Sequence, residues 1–84
     1  MMRIKLKLFA SLGQYLPPGA KQNIAELDIS EGMTIAAVLG KVGVPRELVK
    51  LVFIDGIHQF PQDIDNRALE SGETLAVWPP VAGG

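Results

Sequence analysis

Apolar and polar positions alternate from the start of the chain. Ile4, Leu6 and Leu8 fall on one side of an extended segment and Arg3, Lys5 and Lys7 on the other, with Phe9 following. This period of two is the signature of a strand with one buried face. A second alternating run places Ala25, Leu27 and Ile29 inward and Glu26 and Asp28 outward. The basic outer face of the first run complements the acidic outer face of the second. Opposite charges across an antiparallel pair contribute about 0.2–1 kcal/mol each, so the two runs are expected to form a hairpin. Between them, residues 11–22 carry Gly13, Pro17, Pro18 and Gly19. That segment reads as a loop with a short helical turn around 12–16, Tyr15 and Leu16 tucking against the body.

The period then changes. Ile35, Val38, Leu39 and Val42 fall at i, i+3, i+4 and i+7, the apolar stripe of a helix lying on a sheet. Thr34 suits its N-cap and Gly43 the position just past its end. Residues 44–48 read as a connector with one further helical turn. Leu51, Val52, Phe53 and Ile54 form a run too short for a helix, and Asp55-Gly56 supplies the pair that a tight hairpin prefers. Residues 57–60 would be the return strand. The polar segment 61–66 reads as irregular, with Asp63 and Asp65 as turn-formers. Thr74 to Trp78 is the last strand, Leu75 and Val77 inward and Trp78 outward. Pro79 and Pro80 fix φ and carry no N–H, so they should end it abruptly.

Strand, strand, helix, strand, short strand, strand is the order of an α+β roll: a mixed sheet of about four to five strands with one main helix packed across it. The crossover through the helix would bring the last strand parallel to the first and beside it. The 84 residues suit a single domain, 1–84, whose final residues 79–84 form a flexible tail.

Composition narrows the function. The chain is 48% hydrophobic and 20% charged with a net charge of -1, which is globular and offers neither the basic excess nor the basic-aromatic interleaving of a nucleic-acid binder. It contains no Cys, so a disulfide framework, a thiolate metal site and a cysteine nucleophile are all excluded. It also lacks an apolar run long enough to span a membrane, and a cytoplasmic location is expected. The single histidine, His58, has no nucleophile or metal partner in the pattern and reads as a structural or surface residue. No nucleophile–base pair or metal cluster can be assembled, so no metal is expected and a stand-alone enzyme is the least supported class.

The candidate chemistry lies at the end, Trp78-Pro79-Pro80-Val81-Ala82-Gly83-Gly84. Two glycines can enter a channel too narrow for any side chain. Ordering each costs about 1–2 kcal/mol that packing cannot return, so they are poor structural material. The carboxylate of Gly84 is the candidate working group. Trp78 and Val81, with Phe9, Phe53 or Phe60, are the candidate partner-docking residues.

Phe9-Ala10 closing an alternating strand, a long first loop, Thr34 at the helix start, Asp55-Gly56, Ser71-Gly72-Glu73-Thr74-Leu75 and a terminal Pro-Pro-Val-Ala-Gly-Gly recur together across the whole chain. In these features the chain resembles the ubiquitin-like β-grasp sulfur carriers of the MoaD/ThiS family. The long first loop and Pro79-Pro80 favour the molybdopterin branch, the small subunit of molybdopterin synthase. Asp-Gly stands where that family often has Asn-Gly, and Trp78 where another apolar or aromatic residue is common. The resemblance implies a C-terminal Gly84 adenylated by an enzyme of the ubiquitin-activating type and converted to a thiocarboxylate. A sulfur donor would act through that partner, and the sulfur would pass to a pterin precursor in the large subunit of molybdopterin synthase. ATP and Mg²⁺ would be used by the activating partner, and no cofactor would be bound by this chain. Sulfur carriage for thiamine or tRNA thiolation, and protein modification, are the alternatives the same tail allows.

Overall fold

The computed structural model describes residues 2–80; the roles expected of Val81, Ala82, Gly83 and Gly84 lie outside them. Five strands, β1 (Met2–Leu8), β2 (Ile24–Ile29), β3 (Leu51–Ile54), β4 (Ile57–Gln59) and β5 (Thr74–Trp78), form one sheet in the order β2-β1-β5-β3-β4. Two α-helices, α1 (Ile35–Val42) and α2 (Pro61–Asn66), accompany it, with 3-10 turns at Ala10–Tyr15 and Arg46–Leu48. β1 and β2 pair antiparallel and β5 runs parallel to β1, as the crossover requires. The last strand of the sequence is thereby the central strand of the sheet.

Local chemistry accounts for the elements. The Thr34 hydroxyl accepts the Ala37 N–H at 3.1 Å and starts α1. Gly43, at φ 86°, ends it in the left-handed region that favours glycine. Asp55 and Gly56 both have positive φ, 50° and 82°, as the two central residues of a type I′ hairpin turn must. The Asp55 carboxylate also accepts the Thr74 N–H at 2.8 Å, fastening the β3–β4 turn to the start of β5.

Segment 61–66 departs from expectation: it is α2, not an irregular stretch. Proline is favourable at the first helical position, where its missing N–H is no loss. The Asp63 carboxylate accepts the Phe60 N–H at 2.8 Å, and Ile64 is buried. Asp65 is likewise more than a turn-former, making a two-pronged pair with Arg46 at 2.7 and 3.1 Å. A single apolar residue among six could not register as a helical stripe.

Ile4, Leu6, Leu8, Ile29, Val52, Ile54, Leu75 and Val77 from the sheet meet Ile35, Val38 and Leu39 of α1 and Leu12 and Leu69 of the connections in one core. Tyr15 and Leu16 pack against its edge. Arg67 pairs with Glu73 at 2.8 Å, and the guanidinium holds that carboxyl below its ordinary range, mainly through their hydrogen bond. Arg3 pairs with Asp28 at 2.9 Å and approaches Glu26 at 3.6 Å, bearing out the complementary faces of the first hairpin. Asp28 is lowered by the same kind of hydrogen bond, but the pair is exposed.

Candidate functional site

Because the core lies on one side of the sheet, the alternation of every strand leaves a second face open to solvent. Its middle is aromatic. Trp78 stacks on Phe9 with ring centroids 4.2 Å apart and planes 9° from parallel. Phe53 meets Trp78 edge-on at 5.3 Å, His58 meets Phe53 at 5.5 Å, and Phe60 meets His58 at 4.8 Å. Each such aromatic contact contributes about 0.5–1.5 kcal/mol beyond its area. The rings therefore form a held row rather than independent rotors.

The register explains the row. β5 sets Trp78 opposite Leu51 and Ala76 opposite Phe53, while Phe53 faces His58 on β4. Ala76, too small to fill its place, floors a hollow of ≈ 230 Å³ walled by Phe9, Phe53 and Trp78. Phe60, just past β4, is 55% exposed at the row's end. An apolar concavity with a stacked indole on its rim is the usual form of an interface anchor point. His58, expected to be a structural or surface residue, sits within this row and helps build it.

β5 is held to its last residue. The Phe9 N–H donates to the Val77 carbonyl at 3.2 Å and the Lys50 N–H to the Trp78 carbonyl at 3.0 Å. The strand is thus held from both sides up to Trp78. Pro79 and Pro80 follow, the first half-buried and the second exposed, and neither has an N–H with which to extend the ladder. The structure thus brings Trp78, Phe9, Phe53 and Phe60 onto one face beside the end of β5. The expected pairing of Trp78 with Val81 falls outside the described residues.

Among the described residues no group of three or more His, Cys, Asp or Glu is placed to hold a metal. Nor is any helix there long and apolar enough to cross a membrane. What the described residues offer is an apolar, aromatic face beside the end of β5.

A mixed five-stranded sheet with its last strand central, parallel to the first and crossed by α1, is the ubiquitin-like β-grasp fold. A family model described as Mut7-C ubiquitin matches residues 1–83, and the chain belongs to that family. No curated protein matches it in sequence. Among solved structures it is similar to the HVO 2177 protein of Haloferax volcanii, with a TM-score of 0.75 at 25% identity over 99% of this chain and 87% of that one. SAMP1 from Haloferax volcanii matches with a TM-score of 0.66 at 23% identity over 98% and 99% of the two chains. A putative molybdopterin converting factor, subunit 1, from Pyrococcus furiosus gives 0.67 at 19% over 96% and 100%. At these identities the last two establish the shared fold.

Proposed function

We propose that this protein is a sulfur carrier whose Gly84 carboxylate is adenylated and converted to a thiocarboxylate, and that it donates the sulfur in molybdopterin biosynthesis as the small subunit of molybdopterin synthase. The observation that carries the reading is the placement of the chain's exit. The central strand is pinned up to Trp78 and then released by two prolines beside an aromatic docking face, with Val81-Ala82-Gly83-Gly84 still to follow. A likeness of fold to a putative molybdopterin converting factor subunit supports it.

A carboxylate is a poor electrophile at neutral pH. An activating partner of the ubiquitin-activating type would join it to the α-phosphorus of ATP, releasing pyrophosphate, with Mg²⁺ held on that partner. A sulfur nucleophile then displaces AMP from the acyl carbon, leaving a thiocarboxylate on Gly84. In the large subunit of the synthase the side-chain-free tail would reach the pterin precursor. Transfer of the sulfur followed by hydrolysis would return the carboxylate. Nothing in these steps asks the β-grasp body for a catalytic group. Its task is to present the tail and be recognised.

The test is the intact mass of the protein after incubation with ATP, Mg²⁺, a sulfur donor and an activating enzyme. A gain equal to exchange of one oxygen for sulfur, placed on Gly84 by fragmentation, is expected. Isopeptide links from Gly84 to lysines of other proteins, with no sulfur gain, would replace this reading with protein modification.

The aromatic row should carry the docking. Trp78→Ala removes the largest anchor and is expected to weaken binding of the activating enzyme about 10- to 100-fold. Titration calorimetry checks this, with urea unfolding confirming that the variant stays folded. Unchanged affinity would move the docking surface elsewhere.

A further inference from the structure

The same open face has a second half that the sulfur chemistry does not use. The loop through Pro18 and Gly19 lies beside β2 and β1 at an open hollow of ≈ 550 Å³, larger than the aromatic one, and Lys5, Lys7 and Lys21 line it together with Glu26. How the chain uses its cations makes this hollow unusual. All three arginines are engaged in internal ion pairs: Arg3 with Asp28, Arg46 with Asp65, Arg67 with Glu73. Among the described residues no carboxylate lies within ion-pair distance of Lys5, Lys7 or Lys21. Glu26 stands opposite Lys5 in the strand register, yet its carboxylate turns to Arg3. Three of the five lysines in a chain of net charge -1 therefore gather, without partners, in one concavity.

The hollow is continuous with the aromatic one. Lys7 and Thr74 line both, so an extended ligand can place acidic groups among the lysines and an apolar group over Ala76. We propose that this joined surface recognises a segment of a partner protein carrying clustered Asp and Glu residues next to a large apolar residue. The acidic groups engage Lys5, Lys7 and Lys21 while the apolar residue fills the hollow between Phe9, Phe53 and Trp78. Charge complementarity of this kind steers encounter and fixes register, and it is sensitive to salt. A single-stranded nucleic acid could in principle stack on the same rings. A strand of phosphates calls for a broad field of cations, however, and here the arginines are tied and the net charge is negative.

The full chain, labelled with ¹⁵N, is titrated with a capped peptide Glu-Glu-Leu-Phe-Glu-Glu and, in parallel, with oligouridine and with inorganic phosphate. The readouts are backbone amide shifts and the fluorescence of Trp78, the one tryptophan. The peptide is expected to shift Lys5, Lys7 and Lys21 together with Trp78. Replacing the three lysines by Gln should weaken binding about tenfold, as expected for three rim pairs of modest strength each. Replacing them by Arg should preserve it, and Lys41→Gln with Lys50→Gln should leave it unchanged. Raising salt to about 0.5 M should erase the lysine contribution. Three results would overturn the proposal: peptide-induced shifts that miss the lysines, equal affinity of the Gln variant, and oligouridine or phosphate binding there more tightly than the peptide.

Discussion

Deleting Gly83 and Gly84 is expected to abolish sulfur loading completely while changing the free energy of unfolding by less than about 0.5 kcal/mol, as for surface changes remote from packing. The two effects are expected to separate because, among the described residues, the last backbone carbonyl tied into the sheet is that of Trp78, and the core there draws on residues from Ile4 to Val77. Shortening the tail removes the electrophile and the reach, and leaves the residues from Ile4 to Val77 in place. Urea unfolding measures the first quantity and intact mass after the loading reaction the second. A truncated chain that still gains sulfur would place the chemistry elsewhere. A truncated chain that unfolds much more easily would make the tail structural.

The opposite separation is expected of Leu75→Ala. Leu75 is wholly buried in the central strand, paired in register with Leu6 of β1 and Ile54 of β3, so its side chain is flanked on both sides within the sheet. Truncation there leaves a cavity that neighbouring strands cannot close without breaking their ladders. A cost of about 3–5 kcal/mol is expected, against a total stability of about 5–15 kcal/mol for a domain. The denaturation midpoint should fall steeply, and Gly84 loading at 37 °C should decline with the folded fraction although the tail is intact. A loss below about 1 kcal/mol would mean that β5 is not the keystone of the sheet.

Much of this architecture was legible along the chain. Period-two alternation identified the strands at 4–8, 25–29 and 74–78, the i, i+3, i+4, i+7 stripe identified α1, and Thr34, Gly43 and Asp55-Gly56 marked its ends and the hairpin. These features are local: each depends on neighbours within about one helical turn or one tight turn. The helix at Pro61–Asn66 was not legible, because its evidence is one capping carboxylate and one buried Ile64, and the burial is supplied by the rest of the fold.

The candidate site shows the same division. That the last strand stops at Pro79-Pro80 with Trp78 on the open face could be read from residue chemistry alone; Gly84 lies outside the described residues. Phe9, Phe53 and Phe60 were candidates beside Trp78, but that all three join it, and that His58 links Phe53 to Phe60, could not be read, since they come from β3, β4 and the residues just past β1 and β4 and meet only through register. His58 looked inert in sequence for that reason. The lysine hollow is a further step removed: the sequence shows alternating cations and anions, but only the folded chain reveals that Arg3 takes Glu26 and Asp28 while, among the described residues, Lys5, Lys7 and Lys21 have no ion pair. Periodicity thus determined which segments extend and where the main helix lies, because those preferences are local. Strand order, by making the last strand central and parallel to the first, decided which side chains share the open face, because contacts between residues far apart in sequence are set by topology and not by any local preference.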